Sequence, residues 1–204
     1  MSKPDPEALT ICEAYESLSG KRADGKYYPY KASGDSSEKL TIGRGHLLTL
    51  EEKKGYLAGT HRFAKGLTIE EVDDLYAQDV SARWATVDSR IKGTPRQKGT
   101  FLSIYFNCPD ILTGSPAILH NKGEYVKAAT RMLLYRVGSG KPLRGLWRRR
   151  MVEALFYLTG EILLVNDKPP AWPTLSLLEV KIVDRLTKLG VAVRDPEIWP
   201  KALY

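Results

Sequence analysis

Cysteine is nearly absent from this 204-residue chain, which has only Cys12 and Cys108. They stand too far apart in sequence for a metal motif, and both are expected to be buried thiols rather than a disulfide. Histidine is almost as scarce. His46, His61 and His120 show no HExxH or related spacing, so no metal site and no cofactor are expected. No stretch approaches the roughly 18 apolar residues of a membrane helix, which excludes stable insertion by that route. The opening MSKPDPEALTICEAYE lacks the charged, apolar and small-residue order of a secretory leader, so the chain is read as made in the cytoplasm. Internal repeats and low-complexity segments are also lacking.

Apolar residues make up 43% and charged residues 27%, the balance of a chain that folds rather than stays disordered. The length suits one substantial core with an appendage: a domain over 1–160 and a C-terminal extension over 161–204 that packs back on it. A net charge of +7 and a pI near 9.3 favour a polyanion, whether nucleic acid, a membrane surface or an acidic wall polymer. Charge alone does not choose among them.

Periodicity sketches a mainly helical chain interrupted early by a small hairpin. Ala8, Leu9, Ile11, Cys12, Tyr15 and Leu18 share one half of a helical wheel over 5–18. From 26 to about 48, aromatics, turn formers and the run LTIGRGH read as an antiparallel hairpin, with Pro29 suited to an edge. Thr68 and Glu71 form a capping box ahead of Ile69, Val72, Leu75, Tyr76 and Val80. Further helices are predicted near 96–107, 116–120 and 123–137, from Pro142 to about 159, and over 174–190.

Three charges fall on apolar stripes: Glu16, Asp79 and Arg150, with Arg148 and Arg149 pointing away. A charge facing a core costs several kcal/mol unless it has a partner or a task. Buried ion pairing that only fixes packing is one reading. The other places Glu16 at the rim of a cleft, where apolar surroundings let it keep a proton and a cation such as Arg150 orients it. A glycosidase needs a second, ionised carboxylate across the groove, and the hairpin offers Asp35, followed after five residues by Thr41.

These residues carry a resemblance. Tyr15-Glu16 at a helix end, Asp35 before Thr41, TIGRGH over 41–46, the helix GLTIEEVDDLYAQDV, FLSIYFN over 101–107 and GSGKPLRGLWRRRMVEALF occur in the order found in the phage-type lysozymes, the muramidases of glycoside hydrolase family 24. The resemblance takes in about 150 residues, from roughly 8 to 160. Departures are Ser17 in place of a glycine, a longer stretch between Glu16 and Asp35, and Ala32 where some members carry aspartate, which leaves Asp24 as a rival to Asp35.

The resemblance implies an α+β fold, mainly α, with a small hairpin lobe, a larger helical lobe and a cleft between them. It implies that Glu16 protonates the glycosidic oxygen while Asp35 and Thr41 position the water, cutting between N-acetylmuramic acid and N-acetylglucosamine of peptidoglycan. Arg150 would pair with Glu16, the helical wheel choosing it over the adjacent Arg149 should the register differ by one, and His46 would pair with Asp79. Leu47, Phe106, Asn107, Ser115 and Arg131 would line the glycan cleft. Gly43 and Gly45 would keep the cleft floor clear of side chains. A monomeric endolysin would wait in the host cytoplasm and reach the wall through a holin lesion. Two alternatives stay open: a lytic transglycosylase, which forms an anhydro sugar, and a nucleic-acid binder using LRGLWRRRMVEALF. The spread of basic residues along the chain speaks against the latter.

Overall fold

A computed structural model describes residues 3–16, 18–31, 39–138, 141–164 and 175–193. Helix α1, Pro6–Tyr15, starts under a side-chain cap in which Asp5 accepts from the Glu7 amide at 2.9 Å, with proline in the first turn. It ends three residues short of the predicted stretch, at Tyr15, and Glu16 is the cap that leaves the helix. Beyond it the chain enters the hairpin lobe. Strands β1 (Thr41–Ile42) and β2 (His46–Leu47) pair antiparallel, Thr41 opposite Leu47 and Ile42 opposite His46. The lobe begins earlier than residue 26, because bridges join Ser19 to Gly43, Lys21 to Tyr27 and Tyr30 to Thr41.

Tyr27, Ile42, Leu48, Phe63, Leu67, Val72 and Leu75 form this lobe's own small core. Helix α2, Leu50–Leu57, caps it from outside and buries none of its residues. Helix α3, Ile69–Arg90, joins the lobes: Val72 and Leu75 enter the small core, whereas Tyr76, Val80, Trp84 and Val87 enter the large one. Its first turn carries the predicted capping box, in which Thr68 Oγ1 accepts from the Glu71 amide and Glu71 Oε2 accepts from the Thr68 amide.

The helical lobe is completed by α4 (Pro95–Tyr105), α5 (Ser115–Asn121), α6 (Tyr125–Met132), α7 (Arg144–Thr159) and α8 (Leu177–Lys188). Two sequence expectations shift here. The helix expected over 123–137 stops at Met132, and the one expected from Pro142 starts at Arg144. The chain between them is spent on a two-stranded ribbon, β3 (Val137–Gly138) with β4 (Lys141–Pro142). Helix α7 lies at the centre, packed by α1, α4, α6 and α8. Every residue over 147–157 is therefore buried. A helix covered on all sides has no outward face.

Described residues of the C-terminal extension share the large core: Ile182, Leu186 and Val191 are buried with the residues of α7. Glu179, fully buried, receives Arg144 Nη2 at 2.7 Å and Arg148 Nε at 3.2 Å, which fastens α8 to the start of α7. Among the described residues no helix is long and apolar enough to cross a membrane.

Candidate active site

Glu16 stands where α1 ends, and its amide still donates to Cys12 O at 2.9 Å, so the helix end fixes its backbone. Arg149 Nη1 donates to Glu16 Oε1 at 2.7 Å. The other carboxylate oxygen lies over Gly45: a Cβ placed there would come within 2.5 Å of Glu16 Oε2. The carboxylate is thus held between a buried guanidinium on α7 and the bare backbone of the β1–β2 turn, with its side chain 14% exposed. This is a cationic and close-packed setting rather than the apolar wall expected from sequence.

The glycines of TIGRGH do a different task from the one expected. Both have positive φ, 61° at Gly43 and 84° at Gly45, which suits glycine. A Cβ on Gly43 would meet Val72 Cγ1 of α3 at 2.6 Å, and one on Gly45 would meet Glu16. They admit protein to protein, not a sugar to a bare floor. Gly45→Ala puts a side chain in a left-handed conformation, at about 1–2 kcal/mol, and displaces a carboxylate that Arg149 holds in place. If Glu16 is catalytic, a shift of that size lowers wall-lysis rates roughly 10- to 100-fold. Turbidity assays beside a thermal melt check this, and a wild-type rate would rule out a contact that fixes Glu16.

The arginine facing Glu16 is Arg149, not Arg150. The helical wheel assumed one buried stripe on α7, and that assumption fails for a helix buried on every side, where Arg148, Arg149 and Arg150 are all covered. Arg150 turns instead to Tyr135 O at 2.9 Å, to Asn107 Oδ1 and to Glu153 Oε2. Glu153, with no exposed surface, is the member that sequence reasoning missed. Its Oε1 accepts from Arg149 Nε at 3.0 Å and from Ser103 Oγ at 2.6 Å, and Arg149 Nη2 donates to Ser103 O at 2.8 Å. Tyr15 lies beneath the same guanidinium, 5.5 Å from ring centre to Arg149 Cζ.

On the hairpin side, Thr41 exchanges backbone hydrogen bonds with Tyr30 at 2.8 and 2.9 Å and is half-buried. Asp35 lies outside the described residues. Asp24 is exposed in the turn, where Oδ2 accepts from the Tyr28 hydroxyl at 2.8 Å and Oδ1 from the Lys26 amide at 3.1 Å; the tyrosine bond leads in drawing its pKa below the usual carboxylate range. Lys21, Arg22, Lys26, Arg62 and Lys65 belong to this turn and the adjoining short helix Arg62–Lys65, and Lys26 Nζ donates to Lys65 O at 3.3 Å.

His46 sits between two carboxylates. Nδ1 is 3.0 Å from Asp79 Oδ2 and Nε2 is 3.2 Å from Glu52 Oε2, a partner that sequence reasoning did not find. Both nitrogens can donate only in the imidazolium. Burial favours the neutral ring, but the hydrogen bonds and charges of Asp79 and then Glu52 outweigh it and raise the pKa above the usual 6.5. Burial likewise opposes the charge on Asp79, yet His46 and Arg83 hold its pKa below 3.8. A raised histidine stabilises the fold fully below about 6.5 and loses that contribution as pH rises through the folded value; a depressed aspartate loses its own as pH falls below about 3.8. The melting-temperature gap between wild type and His46→Gln should thus be widest near pH 5 and close on the alkaline side. A gap unchanged to pH 9 would exclude the charged pair.

Of the expected cleft residues, Asn107 joins the site through Arg150, and Phe106, half-buried at the end of α4, packs on Tyr76 at 5.7 Å and under Arg83. Leu47 is 45% exposed on β2 opposite Thr41. Ser115 and Arg131 are exposed on α5 and α6, away from the described contacts of Glu16. Cys12 is buried behind Glu16 and Cys108 is half-buried, both as free thiols; burial pushes the Cys12 thiol up to about 12. Among the described residues no group of three or more His, Cys, Asp and Glu is placed to hold a metal ion.

A mainly helical α+β molecule with a small antiparallel hairpin has the architecture of the lysozyme-like fold. A family model described as phage lysozyme matches residues 22–153. The chain belongs to the phage lysozyme family, whose members degrade peptidoglycan. Solved structures similar to it include two endolysins. One is the endolysin from Escherichia coli O157:H7 phage FAHEc1, at 22% identity and a TM-score of 0.60, covering 80% of this chain and 98% of that one. The other is the active form of the P1 phage endolysin Lyz, at 18% identity and a TM-score of 0.56, covering 81% and 88%. At these identities they show the fold. Comparison with curated protein sequences finds no match.

Proposed function

We propose that the protein is an endolysin that hydrolyses the β-1,4 bond between N-acetylmuramic acid and N-acetylglucosamine. Glu16 is the general acid, and Asp35 with Thr41 positions the attacking water. The observation that supports this most is the fixing of one carboxylate by Arg149 on one side and Gly45 on the other, at the junction of the two lobes. A general acid contributes only when its proton lies within reach of the leaving oxygen, so a carboxylate locked in position suits that task. Leu47, Phe106, Asn107, Ser115 and Arg131 are the proposed glycan contacts, and the cations around the hairpin turn would favour approach to an anionic wall. Residues 1–160 form the catalytic domain and 161–204 an extension packed on the helical lobe, a reading that the Glu179 ion pairs support. The enzyme acts as a monomer, held in the host cytoplasm until a holin opens the way to the wall.

Mass analysis of the digested wall tests the reaction. Hydrolysis leaves reducing muramic acid ends, each one water heavier than the anhydro ends of a transglycosylase. Reducing ends are expected, and anhydro products alone would overturn the water-positioning role of Asp35 and Thr41.

A further inference from the structure

Two arginines and two carboxylates meet in the core behind the site. Arg149 touches both Glu16 and Glu153; Arg150 touches Glu153 but turns away to Tyr135 O and Asn107. Both guanidinium groups and Glu153 are shut off from solvent, where charge interactions are strong and poorly screened. Without Glu153, two buried positive charges would stand behind Glu16, Arg149 in contact with it and Arg150 next to Arg149 on α7. With it, the three groups behind Glu16 sum to one.

We propose that Glu153 is a positioning residue for Glu16, acting as a counter-charge: it aims Arg149 at the acid and leaves the acid facing one net positive charge instead of two. The geometry favours this over simple packing. Glu153 spends one oxygen on Arg149 and Ser103 and the other on Arg150, so it fixes which arginine reaches Glu16. Among the described residues, Cys12 on α1, Tyr76 on α3 and Tyr30 in the hairpin lobe also interact electrostatically with Glu16, and burial first pushes all three upward, which keeps them neutral near neutral pH. On the α7 side, the charge behind the acid is therefore set by Arg149, Arg150 and Glu153, while the proposed Asp35 faces it from the hairpin in every variant alike.

The proposal rests on Glu16 being the general acid, whose activity falls as pH rises and the proton is lost. It predicts opposite displacements in two variants of the full chain. Glu153→Gln unmasks a second positive charge, so the alkaline limb of the activity profile on purified Gram-negative peptidoglycan moves to lower pH by roughly one unit. Arg150→Gln removes a positive charge while leaving the Arg149–Glu153 pair, so the limb moves to higher pH by a similar amount. Arg150→Gln with Glu153→Gln returns it towards wild type, and Glu153→Asp, which keeps the charge, leaves it in place even if the rate drops. Lower rates at every pH with an unmoved limb in both single variants would mean that Glu153 only packs the core and would overturn the proposal. Should Glu153→Gln fail to fold, the upward displacement in Arg150→Gln supports the proposal and an unmoved limb overturns it. Glu16→Gln, run alongside, separates the two readings: full activity there sinks the acid assignment itself, whereas lost activity with unmoved limbs sinks only the role of Glu153.

Discussion

Glu16→Gln is expected to lower lysis of permeabilised Gram-negative cells by about 100- to 10,000-fold, the usual contribution of a positioned general acid. The substitution is nearly isosteric and removes the proton without removing the contacts. A glutamine carbonyl still accepts from Arg149 Nη1, now 2.7 Å from Glu16 Oε1, and the amide group fits over Gly45, which offers no side chain to collide with it. Arg149 also keeps Glu153 and Ser103 as partners. The variant should therefore melt cooperatively and fail only in catalysis. Loss of activity together with loss of the folded state would leave chemistry and stability entangled, so circular dichroism must accompany the turbidity assay. A folded variant with undiminished lysis would exclude Glu16 as the acid.

Much of this arrangement could be read from the chain, and what escaped did so for physical reasons. Thr68, Glu71 and the apolar spacing after them placed α3 correctly, because a helix lying half on the surface keeps a polar face and so prints its period in the sequence. Glu16 stood out as a charge on an apolar stripe. Helix α2 escaped because it buries nothing and so has no period to detect; its only signal was Thr49 with Glu52, the same capping box that marked α3. That Glu52 also reaches His46 could not be seen from spacing.

Helix α7 failed for the opposite reason. With neighbours on all sides, its stripe is the whole circumference, and a wheel drawn on 143–158 singles out Arg150 only by assuming that some face is wet. The signal that would have corrected the register is chemical: three adjacent arginines followed by Glu153 cannot all be buried without carboxylates, and Glu153, Glu179 and Glu16 take them up. The second acid of the site rests on the resemblance alone, since Asp35 lies outside the described residues.

The division of labour between the two arginines leads to the largest expected effect on stability. Arg149→Met removes a fully covered cation that serves Glu16, Glu153 and Ser103 at once, and it leaves Glu16 packed against Gly45 without its partner. Breaking a buried pair from one side costs about 3–5 kcal/mol, which for a chain of this size corresponds to roughly 6–20 °C in melting temperature. Methionine fills most of the volume, so the penalty is electrostatic rather than a cavity. Arg149→Lys keeps the charge but not the planar fork: an ammonium cannot reproduce the parallel donors that now reach two carboxylates and a carbonyl, and an intermediate melting temperature with impaired lysis is expected. A wild-type melt for Arg149→Met would show that the guanidinium bears no weight in the core, and the orientation of Glu16 would then have to come from Gly45 and the helix end alone.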